Sequence, residues 1–382
     1  MKILFVCLQY IHAARWINQL KDTEHEIYVF DCLDRPIHKD LLWTNNITGW
    51  SKRKVPYLKG EYFLEKKMPS VFNKIEPYLK VTASEKLEAL IKELKPDLVH
   101  SLEMQSQTYP LLKVRKKIHF KWAYFSWGSD LYLYQNEKKH QQKIKQVLFN
   151  LNYLFVDNHR DIDIAKKLGF VNEVAGVFPG GGGYQLEKIK ESVTQIKKEN
   201  LIIIKGYHHW AGRALVVLKA LDFIKKDLVN YKILVYSAHD NVLDKITEMN
   251  SNGWNIEYIS RKKEVSQTEL LTLFAKAKIA IGNNISDGIP NTLLEAIILG
   301  AFPIQSNPGG VSEDYIKDGE NGFLIQNPED AIEISKLISK VLNNEKLLDS
   351  AFLLNQEIAK KLEYNVIRKK VLDVYSKIEN KF

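Results

Sequence analysis

The sequence predicts an α/β protein made of two doubly wound domains facing a cleft, and three observations carry that reading. Short apolar runs alternate with helical stretches along the whole chain. Four consecutive glycines in Phe178-Pro-Gly-Gly-Gly-Gly-Tyr184 break this alternation near the middle, a strong local punctuation. At 382 residues the chain is also long enough to bury two separate cores.

In the first half the strand-like runs are Ile3–Leu8, Glu26–Phe30, Leu98–His100, Ala123–Ser126 and Tyr153–Val156. The second half offers Leu201–Lys205, Tyr231–Tyr236, Ile256–Ile259, Ile279–Gly282, Phe302–Gln305 and Gly322–Ile325. Continuous apolar strands separated by helices indicate parallel sheets covered on both faces. The glycine run and the charged helical stretch Leu186–Lys198 place a boundary near Pro179–Glu199. The division is then 1–180, 181–360 and a C-terminal segment 361–382, whose helix from about Glu357 to Lys381 is long enough to reach back to the first domain. Ligands of such sheets bind beyond the carboxyl ends of the strands. The first of these turns, Gln9-Tyr-Ile-His-Ala-Ala-Arg15, has no glycine, which excludes a dinucleotide fingerprint.

Hydrophobic residues make up 45% of the chain and charged residues 26%, which excludes a disordered protein. Cys7 and Cys32 stand in apolar, strand-like surroundings. They read as reduced core residues, not as a disulfide framework or a metal site. The apolar run of MKILFVCLQ is short for a secretion signal, and no stretch reaches the length of a membrane span. The expected location is the cytoplasm.

The net charge of +9 is unevenly spread. Lys52, Arg53, Lys54, Lys59, Lys66, Lys67 and Lys74 are interleaved with Tyr57, Tyr62, Phe63 and Phe72, and Lys113, Arg115, Lys116 and Lys117 form a second cluster. A solvated lysine-rich face accounts for either cluster alone. An anionic membrane surface is the next reading, at the inner face of the membrane. Nucleic acid comes last because no nucleic-acid motif accompanies the charge.

Ser286 to Gly310, SDGIPNTLLEAIILGAFPIQSNPGG, is the most informative stretch. Pro290 suits the first helical position, where its missing N–H leaves no partner wanting. The amides of that first turn, with the positive end of the helix dipole, form an anion seat. Asp287 and Glu295 bracket it with two carboxylates suited to gripping hydroxyls. The helix is apolar nearly all round, from Leu293 to Leu299, and Gly300 ends it. Glu295 is thus a carboxylate on a buried helix, costly unless it is hydrogen-bonded. A sugar nucleotide combines an anion with hydroxyls.

The spacing of Asp287, seven residues, then Glu295 resembles the E-x7-E signature of retaining GT-B glycosyltransferases, in particular family 4, the group 1 glycosyl transferases. Phe302-Pro-Ile304, Gly309-Gly310 and Asp318-Gly-Glu-Asn-Gly322 follow in that family's order. Upstream, Lys205-Gly-Tyr-His-His-Trp-Ala-Gly-Arg213 is similar to its glycine-plus-basic loop. The resemblance implies two Rossmann-like domains and a donor site. In it Glu295 holds ribose hydroxyls, Asp287 a sugar hydroxyl, and the backbone of Gly288, Ile289, Pro290, Asn291 and Thr292 the phosphates and sugar. Arg213 is its first choice for the diphosphate charge, with Lys205 second and Gly206 beside it. Asp287 is one methylene shorter than the family's first Glu.

In the first domain, Asp97-Leu-Val-His-Ser-Leu-Glu103 resembles a strand ending in D-x-x-H-x-H, with His100 matching the first histidine and Leu102 replacing the second. Trp127-Gly-Ser-Asp130 resembles H-G-x-D with Trp in place of His. The resemblance thereby implies catalytic roles for Arg213, Asp287, His100 and Asp130, and acceptor contacts for Glu103, Trp127 and Ser129. His12 and Arg15, in the loop after the first strand, are further candidates by position, for the acceptor or for the donor phosphates.

The expected activity is retaining, metal-independent transfer of a sugar from a UDP- or GDP-sugar to a hydroxyl acceptor. That acceptor would be a glycan or lipid-linked glycan in surface polysaccharide biosynthesis, such as lipopolysaccharide or capsule. No cofactor is expected, since no histidine or carboxylate cluster suggests a metal; Asp161-Ile-Asp163 reads as a helix start. A sugar phosphorylase, a nucleotide-sugar epimerase and a non-catalytic sugar-nucleotide binder are the competing readings.

Overall fold

The computed structural model describes residues 1–193, 195–342 and 344–381. It resolves into two compact units. One comprises Met1–Asp157, Asp161–Gly182 and the chain from Val371 onward; the other comprises Asn158–Arg160 and Gly183–Lys370.

The first unit holds strands β1 (Lys2–Val6), β2 (Glu26–Phe30), β3 (Asn45–Ile47), β4 (Leu98–Leu102), β5 (Trp122–Ser126), β6 (Tyr153–Val156) and β7 (Glu173–Val177). They form one seven-stranded sheet in the order β3-β2-β1-β4-β5-β6-β7. Every pairing in it is parallel; Ile3 sits opposite Ile27 on one side and Leu98 on the other. The chain starts at the middle and winds outward in both directions, so the ends of β1 and β4 lie where the strand order reverses. Helices cover both faces, and Trp16, Trp122, Tyr124, Phe125 and Phe155 are completely buried. Cys7 and Cys32 are buried and free.

The second unit repeats this plan with β8 (Glu199–Lys205), β9 (Lys232–Ala238), β10 (Ile256–Ser260), β11 (Ala277–Gly282), β12 (Phe302–Ser306) and β13 (Phe323–Ile325). Its sheet is six-stranded, in the order β10-β9-β8-β11-β12-β13, again parallel. The reversal here falls between β8 and β11. The stretches Lys205–Arg213 and Asn283–Pro290 follow those two strands.

Three expectations need correction. β3 and β7 were not foreseen. The helix expected over Glu357–Lys381 is two helices, Glu345–Lys361 and Tyr364–Glu379. They break because Tyr184 is inserted there: its N–H donates to Leu362 O at 2.8 Å, and its carbonyl accepts from Tyr364 N–H at 2.8 Å. The charged stretch after the glycines is helical only over Leu186–Val193.

The glycine run marks a close approach of backbone to its own protein. Gly182 has φ 75°, and a β-carbon there would lie 2.5 Å from the Gln19 amide nitrogen. At Gly180 it would lie 3.3 Å from the Trp127 indole nitrogen. Among the described residues no helix is long and apolar enough to cross a membrane.

Candidate active site

The site in the second unit begins with β8, whose apolar run ends on Lys205. Gly206 follows because a β-carbon there would sit 2.5 Å from the Ala238 Cα, so the exits of β8 and β9 touch. The loop then doubles back: Ala214 N–H donates to Tyr207 O at 3.0 Å, and Gly212 leaves no room for a side chain beside that carbonyl. Ile285 N–H reaches Ala211 O at 2.9 Å and Arg213 N–H reaches Asn283 O at 2.9 Å, which joins this loop to the one after β11.

In that second loop Asp287 is held by its neighbours. Asn284 Nδ2 donates to its Oδ2 at 2.8 Å, and Gly288 N–H donates to its Oδ1 at 3.0 Å. Lys205 Nζ stands 4.0 Å from Oδ2. Burial raises the Asp287 carboxyl pKa; the charge of Lys205, the Gly288 N–H, the charge of Arg160 and the Asn284 amide work against that rise. The side chain keeps 28% of its surface exposed, so it is accessible to a ligand.

The helix spans Asn291–Leu299 and buries six consecutive residues from Leu293 to Ile298, Glu295 included. Pro290 precedes it as an extended cap (φ −67°, ψ 129°), one position before the expected one, and accepts from Leu293 N–H at 3.0 Å. Gly300 closes the other end with φ 72°. Glu295 is 5% exposed. Its carboxylate faces Tyr236: burial first, and then the charge of Glu295, raise the Tyr236 phenol, while a bond with Thr292 lowers it. The expected row of amides from Gly288 to Thr292 is thinner than anticipated. Pro290 has no N–H, and that of Gly288 is given to Asp287.

The two cations have different partners. Arg213 Nη1 donates to His209 O at 3.0 Å and Gly212 O at 2.9 Å, and Nε donates to Glu329. Its guanidinium thus braces the loop and pairs with Glu329, and its side chain stays 17% exposed. Lys205 instead lies beside Asp287 and 4.7 Å from the Tyr207 ring centre.

Arg160 is a residue that sequence reasoning missed. Its Nη1 donates to Pro308 O at 2.6 Å and its Nη2 to Asp287 O at 3.0 Å, bridging the loops after β12 and β11. Nothing in the letters near Arg160 signals this, because the contact partners are more than a hundred residues away. A cavity of about 560 Å³ beyond the ends of β9 and β10 was missed as well; His208, His239, Asp240, Asn241, Arg261 and Lys262 line it. The Tyr207 ring stacks on His239 at 5.4 Å, with Arg261 4.6 Å from its centre. The polar residues that follow two apolar strands were the available signal.

The first-unit candidates divide. His100 is fully buried among Phe5, Phe155 and Tyr375, its Nδ1 2.7 Å from the Tyr375 hydroxyl, and burial lowers its pKa to about 3. It is a core residue, which corrects the catalytic expectation. Asp130 is buried too, accepting from Tyr124 Oη at 2.7 Å, Met104 N–H at 3.1 Å and Trp127 N–H at 3.3 Å. Burial, and then the charge of Glu103, push its pKa well up. It ties the exits of β4 and β5 together, again a structural place.

Glu103 has φ 75°, unusual for a residue with a β-carbon. Its carboxylate accepts from Gln105, Ser106 and Gln107 N–H at 2.8, 2.8 and 3.2 Å. It caps the turn Met104–Thr108 and is half-buried. His12, Arg15, Trp127 and Ser129 remain half-buried near the strand ends of this unit. Asp161 lies in the first turn of the helix His159–Lys167, as its letters suggested, and accepts from Ser126 Oγ at 2.8 Å. Among the described residues no group of three or more His, Cys, Asp or Glu is placed to hold a metal ion.

Two doubly wound parallel units, one with a buried carboxylate on a helix that starts at an acidic loop, give the architecture of the GT-B class. The family profiles agree: residues 185–352 match glycosyl transferases group 1, and residues 2–158 match glycosyl transferase 4-like. The chain belongs to this family and is a glycosyltransferase. Its fold is similar to that of sucrose-phosphate synthase from Thermosynechococcus elongatus, at 13% identity and TM-score 0.72 over 100% of both chains. A glycosyltransferase from Rickettsia africae is 16% identical with TM-score 0.66, covering 99% of this chain and 98% of that one. HepE of Anabaena, in complex with UDP-glucose, is 10% identical with TM-score 0.68, covering 99% and 100%. Likenesses at these identities speak to fold alone. No curated protein sequence matches the chain.

Proposed function

We propose that the protein transfers a sugar from a nucleotide-sugar, with retention, to a hydroxyl of a glycan or lipid-linked glycan acceptor. The observation that carries this reading is the placement of Lys205 4.0 Å from Asp287 at the start of the helix bearing Glu295. In this reading Glu295 accepts from the ribose hydroxyls and Asp287 from a hydroxyl of the donor sugar. Lys205 offsets the charge that grows on the diphosphate as the glycosidic bond breaks, where a preorganised cation acts most strongly.

The bond from the sugar's anomeric carbon to the diphosphate oxygen breaks, and a bond to the acceptor oxygen forms on the same face. The acceptor proton passes to the departing diphosphate, so no protein base is needed. His12, Arg15, Trp127 and Ser129 are the acceptor-side candidates in this scheme. Complexes of HepE and other structural neighbours with UDP or UDP-sugars favour UDP-sugars as the first donors to test.

The experiment is a thermal-shift screen of nucleoside diphosphates and their sugars, followed by transfer assays with and without EDTA. A donor at a hundred times its dissociation constant adds about 2.7 kcal/mol of stability. Stabilisation by a UDP-sugar with transfer insensitive to EDTA is expected. No shift with any nucleotide, or release of sugar phosphate or an epimer in place of transfer, overturns the reading; strong loss on chelation overturns its metal-independent part.

A further inference from the structure

We infer that the helical segment Glu61–Leu79 of the first unit docks on an anionic lipid surface. The inference rests on the lipid-linked acceptor reading for its purpose, but on its own surface for its support. On the helix Glu61–Lys67, at about 100° per residue, Tyr62, Phe63, Lys66 and Lys67 share one face about 140° wide. Tyr62 is 73% exposed and Phe63 59%. The opposite side carries Glu61, buried and paired with Arg53.

The helix Pro69–Leu79 repeats the arrangement. It turns Phe72 and Leu79 inward, while Val71, Lys74 and Tyr78 share the outward face, Tyr78 77% exposed. A helix on a protein wetted by water alone shows its polar stripe outward. Here the outward stripes carry aromatic rings and lysines together.

That pairing commits the occupant. Aromatic rings settle at the headgroup level of a bilayer, while lysine stems lie along apolar surface with the ammonium reaching phosphate. Neither outward face carries a carboxylate: Glu76 is 3.7 Å from Lys80, and Glu65 lies off the aromatic side. The charge therefore complements an anionic surface and repels a basic one. Lys54 is bonded to Glu85 and to Pro77 O, and Arg53 to Glu61, whereas Lys66, Lys67 and Lys74 stand exposed on the outward faces and can reach lipid phosphate.

The test is co-sedimentation of the full chain with vesicles of phosphatidylcholine alone and of phosphatidylcholine mixed with phosphatidylglycerol. Binding to the mixed vesicles only is expected, weakening with salt. Neutralising Lys66→Gln, Lys67→Gln and Lys74→Gln should lower the partition coefficient about five-fold per lysine, and Tyr62→Ser with Phe63→Ser should abolish binding. UDP-induced thermal shifts serve as the folding control and should match the unmodified chain, so a failed donor reading and a failed membrane reading leave different records. The inference is overturned by no binding to anionic vesicles, or by undiminished binding of the Tyr62→Ser, Phe63→Ser variant. Concentration-dependent self-association that this variant loses also overturns it, by assigning the face to a second copy.

Discussion

Arg160 donates to the Asp287 carbonyl at 3.0 Å and, through its other terminal nitrogen, to the Pro308 carbonyl at 2.6 Å. One guanidinium thus sets the spacing of two loops at the ends of β11 and β12. A planar fork does this where a single ammonium cannot. Replacing Arg160 with Ala should remove two charge-assisted bonds, each worth about 1.5–3 kcal/mol. We expect a donor dissociation constant raised at least ten-fold with kcat changed less, and only partial recovery in Arg160→Lys. Calorimetric titration of UDP-sugar with a KM-against-kcat comparison checks this; equal loss in both parameters with normal donor affinity would refute a positioning role.

Asp287 and Glu295 should separate cleanly by variant. Glu295→Gln keeps the shape of a buried side chain but loses the charge facing Tyr236, and should weaken binding of a nucleoside diphosphate itself by ten- to a hundred-fold. Asp287→Asn should leave the bare diphosphate bound and weaken only the sugar-bearing donor. Asp287→Glu restores the longer acid and should change which donor sugar is preferred. Isothermal titration across a panel of UDP-sugars reads all three.

Acid stability should carry a signature of His100. Burial lowers its pKa to about 3, below the ordinary 6.5, so the unfolded chain binds a proton that the folded one refuses. Stability therefore falls as pH drops from 6.5 towards 3, by roughly 1.4 kcal/mol per pH unit. Urea unfolding at pH 7.5 and 5.5 should show that increment in the natural chain. His100→Gln, less stable at neutral pH, should lack it.

Lys198 Nζ donates to Phe274 O at 3.2 Å, Ala277 O at 2.8 Å and Leu299 O at 2.8 Å. It closes the carboxyl ends of two helices, Gln267–Lys276 and Asn291–Leu299, and the second of these presents Glu295. Lys198→Met should cost about 2–4 kcal/mol, since three helix-end carbonyls lose a charged donor, and lower donor affinity along with it. Differential scanning fluorimetry with and without UDP measures both.

Most strands read from the letters are buried on both faces, where a continuous apolar run is compulsory; the edge strand β10 was read too, although Glu257 and Tyr258 are exposed. β3 and β7 escaped because they are the two edges of the seven-stranded sheet, and their sequences, NNI and EVAGV, bury only in part. The break at Leu362–Glu363 escaped because its cause is Tyr184, far away in the chain. In the candidate site Asp287, Glu295 and Lys205 could be named from spacing and strand ends. The pairing of Arg213 with Glu329 could not, since the two stand 116 residues apart in the chain.

By itself the sequence determined the class of fold, the two-part plan and the acidic helix start, because apolar periodicity, glycine punctuation and helix-capping chemistry act locally. Only the tertiary structure decided which polar side chains are buried against protein partners and which stay partly exposed. His100 in β4 and Asp130 and Glu103 just beyond strand ends carry chemistry-bearing letters, yet burial claims the first two and backbone amides hold the last two. Arg160 carries no such signal and holds the loop of Asp287. A side chain's role is set by its desolvation and its partners, and both are fixed by residues distant in the chain.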